Sequence, residues 1–547
     1  MKKYIVALLL STCIDGHAQA PANATFTPPL ETPLTLSGNF GELRPNHFHG
    51  GLDFKTGNVI GKKVLASSDG YISRILVTHG SGHLLYVHYN NGYTAIYRHL
   101  SGFVSPIAER VEAFQYAHES WTADITPHPE EYPVHSGQQI AWSGNAGYSF
   151  GPHLHLDLVE DSTGDRVDPL LFFKPLIKDN RAPKANGIIL FPQPGRGVVE
   201  GSDKNKRFLP NALRPIEAWG WIGSGIKAYD YMSGTSNHYG VYSVMLKVDG
   251  KEIFRSTVDR YSMDENRMIN SWTYGNYMKS FIDPGNTLRM LSADKTTRGL
   301  IDINEERDYH FMYELKDFYG NTSRYRFVVQ GKRQPIKPLI HREKYHFVWN
   351  EVNYLQEPGM TLFVPKGTLY NDLSLSFNVR ADSDAIAYTY QINDESVPLH
   401  SACKLSIGIR NKVVSDSTKY YIAQLSENGK MHSVGGQYHQ GFITAKVLTL
   451  GTYTVEVDTI PPKVVPVNKR NWVRSGKIIY HIKDAETAIR SYRGTIDGRF
   501  ALFEWRIMTN RLVCKIDRKR INKTGKHSVE LVVTDKCGNV KVVKDVF

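Results

Sequence analysis

An alternating stretch near residue 150 constrains this chain more than any other part of its sequence. The run GPHLHLDLVE, residues 151–160, alternates two histidines and an aspartate with three leucines: His153, Leu154, His155, Leu156, Asp157 and Leu158. Successive side chains of a β-strand point to opposite faces. The run therefore predicts a strand whose leucines pack into a core while the histidines and the aspartate share the other face.

The rest of the sequence favours strands and turns over long helices. The chain has 547 residues, and its 31 tyrosines, 26 prolines and 45 glycines are typical of strands and turns. No stretch has a convincing amphipathic helical pattern. Because one domain usually contains roughly 100–200 residues, we predict an all-β chain built from several domains.

Residues 1–20 are typical of a secretory signal peptide. Lys2 and Lys3 form a positively charged start, an apolar run follows, and the tripeptide AQA fits a signal-peptidase site. The apolar run is too short to span a bilayer, and no later segment spans one. We predict an exported, non-transmembrane protein of the periplasm or cell envelope, with lipid attachment at Cys13 as a less favoured alternative.

The chain is basic, with a formal net charge of +12 at pH 7. In an exported protein this charge suits an anionic polymer such as the bacterial cell wall, or a membrane surface. Solubility alone explains charge spread this thinly equally well. Nucleic acid is not an expected partner, because no cluster of lysines and arginines interleaved with aromatic residues occurs.

Three cysteines remain after the predicted signal peptide: Cys403, Cys514 and Cys537. The last two could form a disulfide within the final domain, which export would permit. Since the sequence contains no CxxC motif, a cysteine-based zinc site is not expected.

The N-terminal part of the mature chain has a composition of its own. Residues 34–175 are rich in glycine and contain short alternating segments such as HLLYVHY and YTAIYRHL. Residues 108–132 interrupt this pattern with a charged, aromatic stretch. We predict one β domain here, with a partly helical insertion between two of its strands.

Three further β modules are expected. Residues 180–332 and 458–547 each begin after a proline-bearing linker, contain an Asp-Gly turn between apolar residues, and end with a D-x-x-G-N turn. Both resemble bacterial immunoglobulin-like β-sandwich domains. Residues 340–457 form another β-rich block that faintly resembles the ZU5 type of domain.

Three separated motifs of the first domain carry potential chemistry. HFHGGLDF supplies His49 and Asp53, YRHLSGF supplies His99, and GPHLHLDL supplies His153 and His155. Residues four apart on an extended strand lie on one face, so the imidazole of His49 and the carboxylate of Asp53 are expected to converge. Each motif is weak alone; their combination, in this order and among these glycines, is specific.

In these motifs the chain closely resembles the M23 family of zinc metallopeptidases, the lysostaphin-like or LytM-type peptidoglycan endopeptidases. The resemblance covers residues 40–170 and extends to GKKVLASSDGYISRI and VHSGQQIAWSGNAGYSFGPHLHLDL. It implies one zinc ion per chain. It also implies that His49, Asp53 and His155 are the metal ligands, and that the catalytic histidines are His99 and His153. All five positions hold the expected residue type, which argues against a degenerate, metal-free relative.

Other positions leave their roles open. His47 stands where many relatives have arginine, and Asp157 suits either a partner that orients a histidine or a surface residue. The insertion, around Trp121 and Tyr132, is expected to line the substrate groove. The remaining histidines of the domain, such as His79 and His83, fit no ligand spacing and are expected to be structural.

The sequence therefore predicts an exported zinc endopeptidase that hydrolyses peptide cross-links or stem peptides of peptidoglycan through a metal-activated water. Its β modules would bind the envelope or a protein partner there. Two alternatives remain: a scaffold that grips wall peptides without cutting them, and a zinc protease that acts on proteins. The sequence does not divide the catalytic roles between the two histidines.

Overall fold

The computed structural model describes five stretches of the chain: residues 25–339, 344–381, 383–517, 519–521 and 525–547. It is mostly β, with 49% strand and 8% helix, which confirms the predicted fold class. Across these stretches no helix is long and apolar enough to cross a membrane. The predicted signal peptide and Cys13 lie outside the described residues.

The N-terminal domain consists of short strands and two helices. These are β1 (Leu36–Gly38), β2 (Leu43–Arg44), β3 (His47–Phe48), β4 (Gly51–Lys55), β5 (Lys63–Leu65), β6 (Gly70–Thr78), β7 (Gly82–Tyr89), β8 (Tyr93–Leu100), β9 (Gly102–Phe103), α1 (Ile107–Ala117), β10 (Ala123–Ile125), β11 (Pro133–Val134), β12 (Gln139–Trp142), β13 (His153–Glu160), β14 (Arg166–Val167) and α2 (Leu170–Phe173).

The main sheet of this domain has the strand order β1-β4-β13-β8-β7-β6-β10. The alternating run forms the central strand β13, and its three leucines are completely buried in the core, as predicted. On the other face, His155 lies directly opposite Asp53 of β4 and Arg98 of β8. The register of three neighbouring strands thus brings the polar residues together.

The segment 108–132 is ordered around helix α1 and strand β10. β10 extends the main sheet by pairing with β6, and the buried face of α1 contributes Ile107 and Val111 to the domain core. The opposite face of α1 remains available for contacts with another part of the chain.

The second module carries strands β15 to β26. These are β15 (Lys184–Val199), β16 (Lys206–Phe208), β17 (Ile216–Tyr229), β18 (Ser243–Val248), β19 (Lys251–Thr257), β20 (Arg260–Tyr261), α3 (Ile269–Trp272), β21 (Thr273–Tyr274), β22 (Tyr277–Lys279), β23 (Leu291–Ala293), β24 (Ile301–Ile303), β25 (Asp308–Lys316) and β26 (Thr322–Gly331). Eleven of these strands form one continuous sheet around a core, because the long strand β17 pairs with four others.

The first two domains are interlocked. Strand β14 of the first pairs with β20 of the second. Phe40 and Phe48, which precede β4, are buried in the core of the second module, whereas Met232 and Tyr239 of the second module belong to the first core. Apolar burial at this boundary therefore stabilises both domains together.

The third module contains β27 (Tyr345–Phe347), β28 (Asn353–Glu357), β29 (Met360–Val364), β30 (Leu373–Leu375), β31 (Phe377–Arg380), β32 (Thr389–Ile392), β33 (Val397–Gly408), β34 (Tyr420–Leu425), β35 (Met431–Gly435), β36 (Gln437–His439), β37 (Phe442–Leu450) and β38 (Thr452–Val457). Two five-stranded sheets and the two-stranded β27–β30 sheet surround a core that is separate from the cores of the first two domains.

The last module contains β39 (Lys463–Pro466), α4 (Trp472–Ser475), β40 (Lys477–Lys483), β41 (Ile489–Ile496), β42 (Arg499–Ala501), β43 (Phe503–Arg506), β44 (Arg511–Lys515), β45 (Ser528–Asp535) and β46 (Val540–Val546). Its two four-stranded sheets enclose one core.

The disulfide considered between Cys514 and Cys537 is absent: both cysteines are free thiols in the described structure. Cys514 lies in β44 and packs into the core of the last module. Cys537 follows β45 and packs instead against Tyr421 and Ala423 of the third module. The two thiols therefore belong to different apolar clusters.

The last module folds back onto the insertion of the first domain. Arg493 forms an ion pair with Glu119 at 2.6 Å, and the guanidinium of Arg520 lies over the ring of Tyr116. Tyr116 also contacts Phe500, with the ring centroids 5.7 Å apart. The exposed side of the insertion is therefore a docking surface for the last module.

The same contact reaches the hairpin between β6 and β7. The ring of His79 lies 5.6 Å from Tyr492 and 5.4 Å from Trp505. A cavity of about 150 Å³ lies between the two domains, and Trp121 and Arg493 line it. Trp121, expected to line the substrate groove, thus faces the last module.

Candidate metal centre

Three side chains converge beside the middle of the main sheet. The Nε2 atom of His49 lies 3.0 Å from Asp53 Oδ1 and 3.0 Å from the Nδ1 atom of His155. His155 Nδ1 lies 2.8 Å from the same carboxylate oxygen. All three residues are buried. We call His49, Asp53 and His155 the histidine centre.

The chain reaches this arrangement in a way that the sequence did not predict. His49 is not in one strand with Asp53, because β4 begins only at Gly51, and the backbone amide of His49 donates to the carbonyl of Glu42 at 2.9 Å. A Cβ atom on Gly51 would lie 2.0 Å from the carbonyl oxygen of Leu156. The glycine therefore allows the chain to pass close against β13 directly after His49.

A hydrogen bond on the far side of each ring orients the two histidines. The Nδ1–H of His49 donates to the carbonyl of Asn39 at 2.6 Å, which leaves Nε2 facing the centre. The Nε2–H of His155 donates to Asp157 Oδ1 at 2.7 Å, which leaves Nδ1 facing the centre. Such outer partners fix the tautomer and the direction of a metal-binding imidazole.

Asp157 is therefore a partner of His155, and its interpretation as a surface aspartate is wrong. Only 1% of the residue is exposed. Burial would raise the pKa of this carboxyl, but the guanidinium of Arg98 at 2.8 Å, together with His155, holds it well below its usual range. Asp157 therefore stays ionised and continues to accept the hydrogen bond from the imidazole of His155.

The charges around the centre lower the pKa of Asp53 and raise the pKa of His155. Burial opposes ionisation of Asp53, but the histidines around it hold the pKa of this carboxyl well below its usual range. Burial also opposes protonation of His155, but Asp157 and Asp53 outweigh it and raise the pKa of this imidazole to about 9. The site therefore favours a cation at its centre.

The other two predicted histidines flank the centre. The ring centroids of His99 and His153 are 5.0 Å apart, and His99 lies 6.1 Å from His155. His153 Nε2 lies 3.4 Å from Asp53 Oδ1. In both flanking rings Nδ1 donates to a backbone carbonyl, of Ala146 for His99 and of Gly151 for His153, each at 2.8 Å. These bonds leave the Nε2 atom of each ring on the side away from that carbonyl.

His99 is held in an unusual backbone conformation. Its φ of 60° lies in the left-handed region, which residues other than glycine rarely adopt. Gly144 packs directly against this residue, and a Cβ atom there would lie 2.5 Å from the carbonyl oxygen of His99. Backbone strain of this kind persists where surrounding structure enforces it, and it clusters at functional sites. Burial, with His155 and His153 nearby, lowers the pKa of His99 to about 3, so its ring is neutral at pH 7.

The sequence did not reveal two residues that contribute to the site, Asn39 and Arg44. The structure also shows the surroundings of His47, whose role the sequence left open. Asn39 lies outside the HFHGGLDF motif, and its role depends on a backbone carbonyl that carries no sequence signal. Arg44 lies 3.6 Å from the second carboxylate oxygen of Asp53, and no motif points to this contact. His47 is exposed, and its Nδ1 donates to the carbonyl of Pro45 at 2.9 Å.

Exposed apolar side chains occur in two loops that adjoin, along the chain, the strand ends that carry the site. Phe150 is 97% exposed, and Tyr148 and Ile60 are also largely exposed. The Tyr148–Phe150 loop leads into His153, and the loop that holds Ile60 follows β4, whose last residue pairs with His153. Clustered exposed apolar groups are typical of binding surfaces.

The donor set fits a zinc ion. Zinc in catalytic sites takes three protein ligands from imidazole nitrogens and carboxylate oxygens, at about 2.0–2.2 Å, and keeps one position open. Two imidazole nitrogens and one carboxylate oxygen lie here within 3.0 Å of one another. The histidine centre is therefore consistent with a zinc site.

Comparison with known proteins finds relatives of the first domain. An uncharacterized metalloprotease of Haemophilus influenzae is 28% identical over 153 residues, which are 28% of this chain and 25% of that protein. Glycyl-glycine endopeptidase ALE-1 of Staphylococcus capitis is 32% identical over 146 residues, 26% of this chain and 31% of that protein. The chain thus spans about a quarter to a third of the length of these relatives.

Structural comparison and a family model add to this. The solved catalytic domain of the antimicrobial peptidase lysostaphin from Staphylococcus simulans is 28% identical, covering 25% of this chain and 89% of that domain with a TM-score of 0.19. Residues 344–458 match the model of the Zu5-like domain, which confirms the predicted resemblance. By the sequence matches, the chain contains an M23-type, lysostaphin/LytM-like peptidase domain over about 26% of its length, and a Zu5-like domain.

Proposed function

We propose that this protein is an exported zinc metalloendopeptidase that hydrolyses peptide cross-links or stem peptides of bacterial peptidoglycan. The observation that carries the proposal is the convergence of His49, Asp53 and His155 within 3.0 Å, with the rings of His99 and His153 beside them. The relative from Staphylococcus capitis, named a glycyl-glycine endopeptidase, supports a peptide substrate.

Each group of the site has a task in this proposal. His49, Asp53 and His155 hold zinc, which supplies a Lewis acid that polarises a carbonyl and increases the acidity of water. The Nε2 atoms of His99 and His153 share the remaining work: accepting the proton of the attacking water, and stabilising the oxygen that becomes negative as the carbonyl is attacked. The accepted proton then passes to the leaving nitrogen as the C–N bond breaks.

The exposed apolar loops would hold the substrate. Tyr148, Phe150 and Ile60 are exposed, and in this proposal they contact a peptide that enters the site from solvent. Peptide stems carry methyl and methylene groups that such side chains bury favourably. The basic charge of the chain supports an anionic polymer as the carrier of that peptide.

The β modules would position the peptidase domain on the envelope or on a protein partner there. The contact between the last module and the insertion supports this role, because it fixes that module beside the catalytic domain. The hairpin next to this contact supplies the Ser81 carbonyl, which accepts a hydrogen bond from the amide of His99 at 3.3 Å.

The test measures zinc content and the release of peptide fragments from purified sacculi by mass spectrometry. We expect His99→Ala to retain stoichiometric zinc while its turnover falls by roughly 10²–10⁴-fold, the usual contribution of general acid–base catalysis. His135→Ala is the matched control, because this histidine of the same domain is exposed. A His99→Ala protein that digests sacculi at the parental rate would refute the assigned role.

The same assay separates the alternatives. A zinc-loaded protein that binds sacculi without releasing fragments would be a wall-binding scaffold. Faster cleavage of casein than of sacculi would identify a protease of proteins, and either outcome would overturn the proposed function.

A further inference from the structure

Three aspartates meet where the peptidase domain joins the second module. Asp179 lies in the linker, Asp230 directly follows β17, and Asp317 directly follows β25 and begins the D-x-x-G-N turn. One carboxylate oxygen of each residue lies within 4.8 Å of the others. We call these three residues the acidic joint.

Two carboxylates of the acidic joint accept hydrogen bonds from protein donors. Asp179 Oδ1 accepts from the amides of Arg181 and Ser233, at 3.1 and 3.0 Å. Asp317 accepts from the amide and the side chain of Asn321, at 2.8 and 2.7 Å. These bonds fix two of the carboxylates in place.

Two other oxygens are left without a protein donor. Asp230 is only 2% exposed, yet its Oδ1 atom has no hydrogen-bond partner among the described residues. The buried Oδ2 of Asp179 is in the same state. Leaving a buried carboxylate unpaired is costly, so these oxygens indicate a missing positive partner.

The neighbouring cation does not provide that partner. The guanidinium of Arg181 donates to the carbonyls of Met232 and Thr235 and lies over the ring of Tyr231. Within the described residues this guanidinium therefore donates no hydrogen bond to the two open oxygens.

The last module provides an internal comparison, because its carboxylates occupy the corresponding places. Asp458 lies in the linker, Asp484 directly follows β40, and Asp535 begins the D-x-x-G-N turn. Here the Thr487 hydroxyl donates to Asp458 Oδ2 at 2.6 Å, and the Asn539 side chain donates to Asp535 at 2.8 Å.

Asp484 marks the main difference between the two clusters. Its Oδ1 atom accepts from three backbone amides of its own turn, the closest being Thr487 at 2.7 Å. Asp230 makes no such turn, and its oxygen stays open. Within the described residues, no oxygen of the last module's cluster is buried without a partner.

We propose that the acidic joint binds a calcium ion through Asp179, Asp230 and Asp317. Calcium takes about six to eight oxygen ligands, prominently carboxylates, in flexible geometry. The joint offers only oxygen donors, whereas zinc, copper and nickel favour sites that include nitrogen or sulfur. Water would complete the coordination.

Calcium at this position would stiffen the link between the catalytic domain and the second module. Beside Asp317, the hydroxyl of Tyr319 donates to the carbonyl of Ile177 at 2.8 Å, and Phe318 packs against the first core. One ion would therefore hold the linker, the end of β17 and this turn together.

The test uses the full chain, freed of metal with a chelator and then loaded with zinc. We expect calcium to raise its melting temperature and to give a binding isotherm by calorimetry. Asp230→Asn should abolish both responses, whereas Asp484→Asn, the matched change in the last module, should preserve them. Terbium luminescence, sensitised by the nearby tyrosines and displaced by calcium, provides a second readout.

The outcomes are distinct from those for the peptidase. His49→Ala, which removes a ligand of the histidine centre, should keep the calcium response. No calcium response in the parent chain, or an equal response in the parent and in Asp230→Asn, would overturn the proposal. Neither result depends on whether sacculi are cleaved.

Discussion

The histidine centre and the acidic joint are both assembled from three side chains of separate segments, but they solve the problem of charge differently. In the histidine centre two of the three groups are imidazoles, which can be neutral, and each has a partner on its far side. In the acidic joint all three groups are carboxylates, and two oxygens have no protein donor among the described residues. The comparison teaches that donor type and unmet hydrogen bonding, more than proximity, indicate which ion a cluster suits.

The largest expected effect separates the two clusters directly. Replacing Asp53 by alanine removes the carboxylate that both His49 and His155 contact. We expect loss of stoichiometric zinc and of activity on sacculi, while the melting-temperature response to calcium remains. Metal analysis by mass spectrometry and thermal unfolding check the two halves.

Asn91→Ala, a change of a polar side chain away from the site in the same domain, serves as the control. Full zinc content in Asp53→Ala would mean that the ion binds elsewhere, and the comparison would then fail.

A smaller effect sharpens the role of the outer partners. Asp157→Asn keeps the shape of the side chain but removes the charge that faces His155. Loss of such a partner typically weakens metal binding roughly 10–100-fold. Competition with a chromogenic chelator measures the affinity, and Asp161→Asn, at the exposed end beyond β13, is the control. Unchanged affinity would show that the far-side bond does not support the metal.

The next prediction concerns pH in calcium-free buffer. The pKa of Asp230 is raised from 3.8 to about 8 in the folded protein. In the folded state this carboxyl therefore keeps its proton up to a higher pH than in the unfolded chain. The stability that this provides is complete below about pH 4 and is lost as the pH rises towards 8. The amide that replaces this carboxyl in Asp230→Asn cannot ionise.

Thermal unfolding of the parent and of Asp230→Asn across this range measures the effect. As the pH rises, we expect the melting temperature of Asp230→Asn to increase relative to that of the parent. Added calcium should restore the melting temperature of the parent. Asp317, Asp179 and Arg181 are present in both proteins, so the difference isolates one group. Parallel pH curves would argue against an uncompensated carboxylate.

The smallest expected effect concerns an exposed ion pair that lies outside both clusters. Glu119 and Arg493 form an ion pair in which each side chain is 48% exposed. Exposed pairs contribute about 0.2–1 kcal/mol, so Glu119→Ala should hardly change the free energy of unfolding. Chemical denaturation measures it, with Glu130→Ala as the control. A much larger loss would indicate that the contact between the last module and the insertion is cooperative with the fold.

Much of the histidine centre follows from the sequence. The period-two run fixes the faces of β13, and the three motifs supply the residues that the register of β4, β13 and β8 brings together. The path of the chain at His49 could not be predicted from the sequence, because it depends on how Gly51 packs against β13, which is distant in sequence. The carbonyls of Asn39 and Ala146 were equally hidden, since every residue offers one.

The acidic joint is visible in the sequence only as a signal of the fold. The D-x-x-G-N turn and the linker aspartate indicate a β module, yet nothing in their spacing shows that Asp230, far before the turn in sequence, meets both. The two cysteines illustrate the opposite error: they are close in sequence, but tertiary packing assigns them to different apolar clusters.

The interlocking of the first two domains bears on how this protein can be divided. A shortened chain that stops after α2 would leave the rings of Phe40 and Phe48 in solvent and the edge of β14 unpaired, and both conditions invite self-association. We expect the smallest transplantable unit that contains the histidine centre to extend to the end of β26 at Gly331. Recombination in nature, or fusion in the laboratory, would have to exchange the two domains as one.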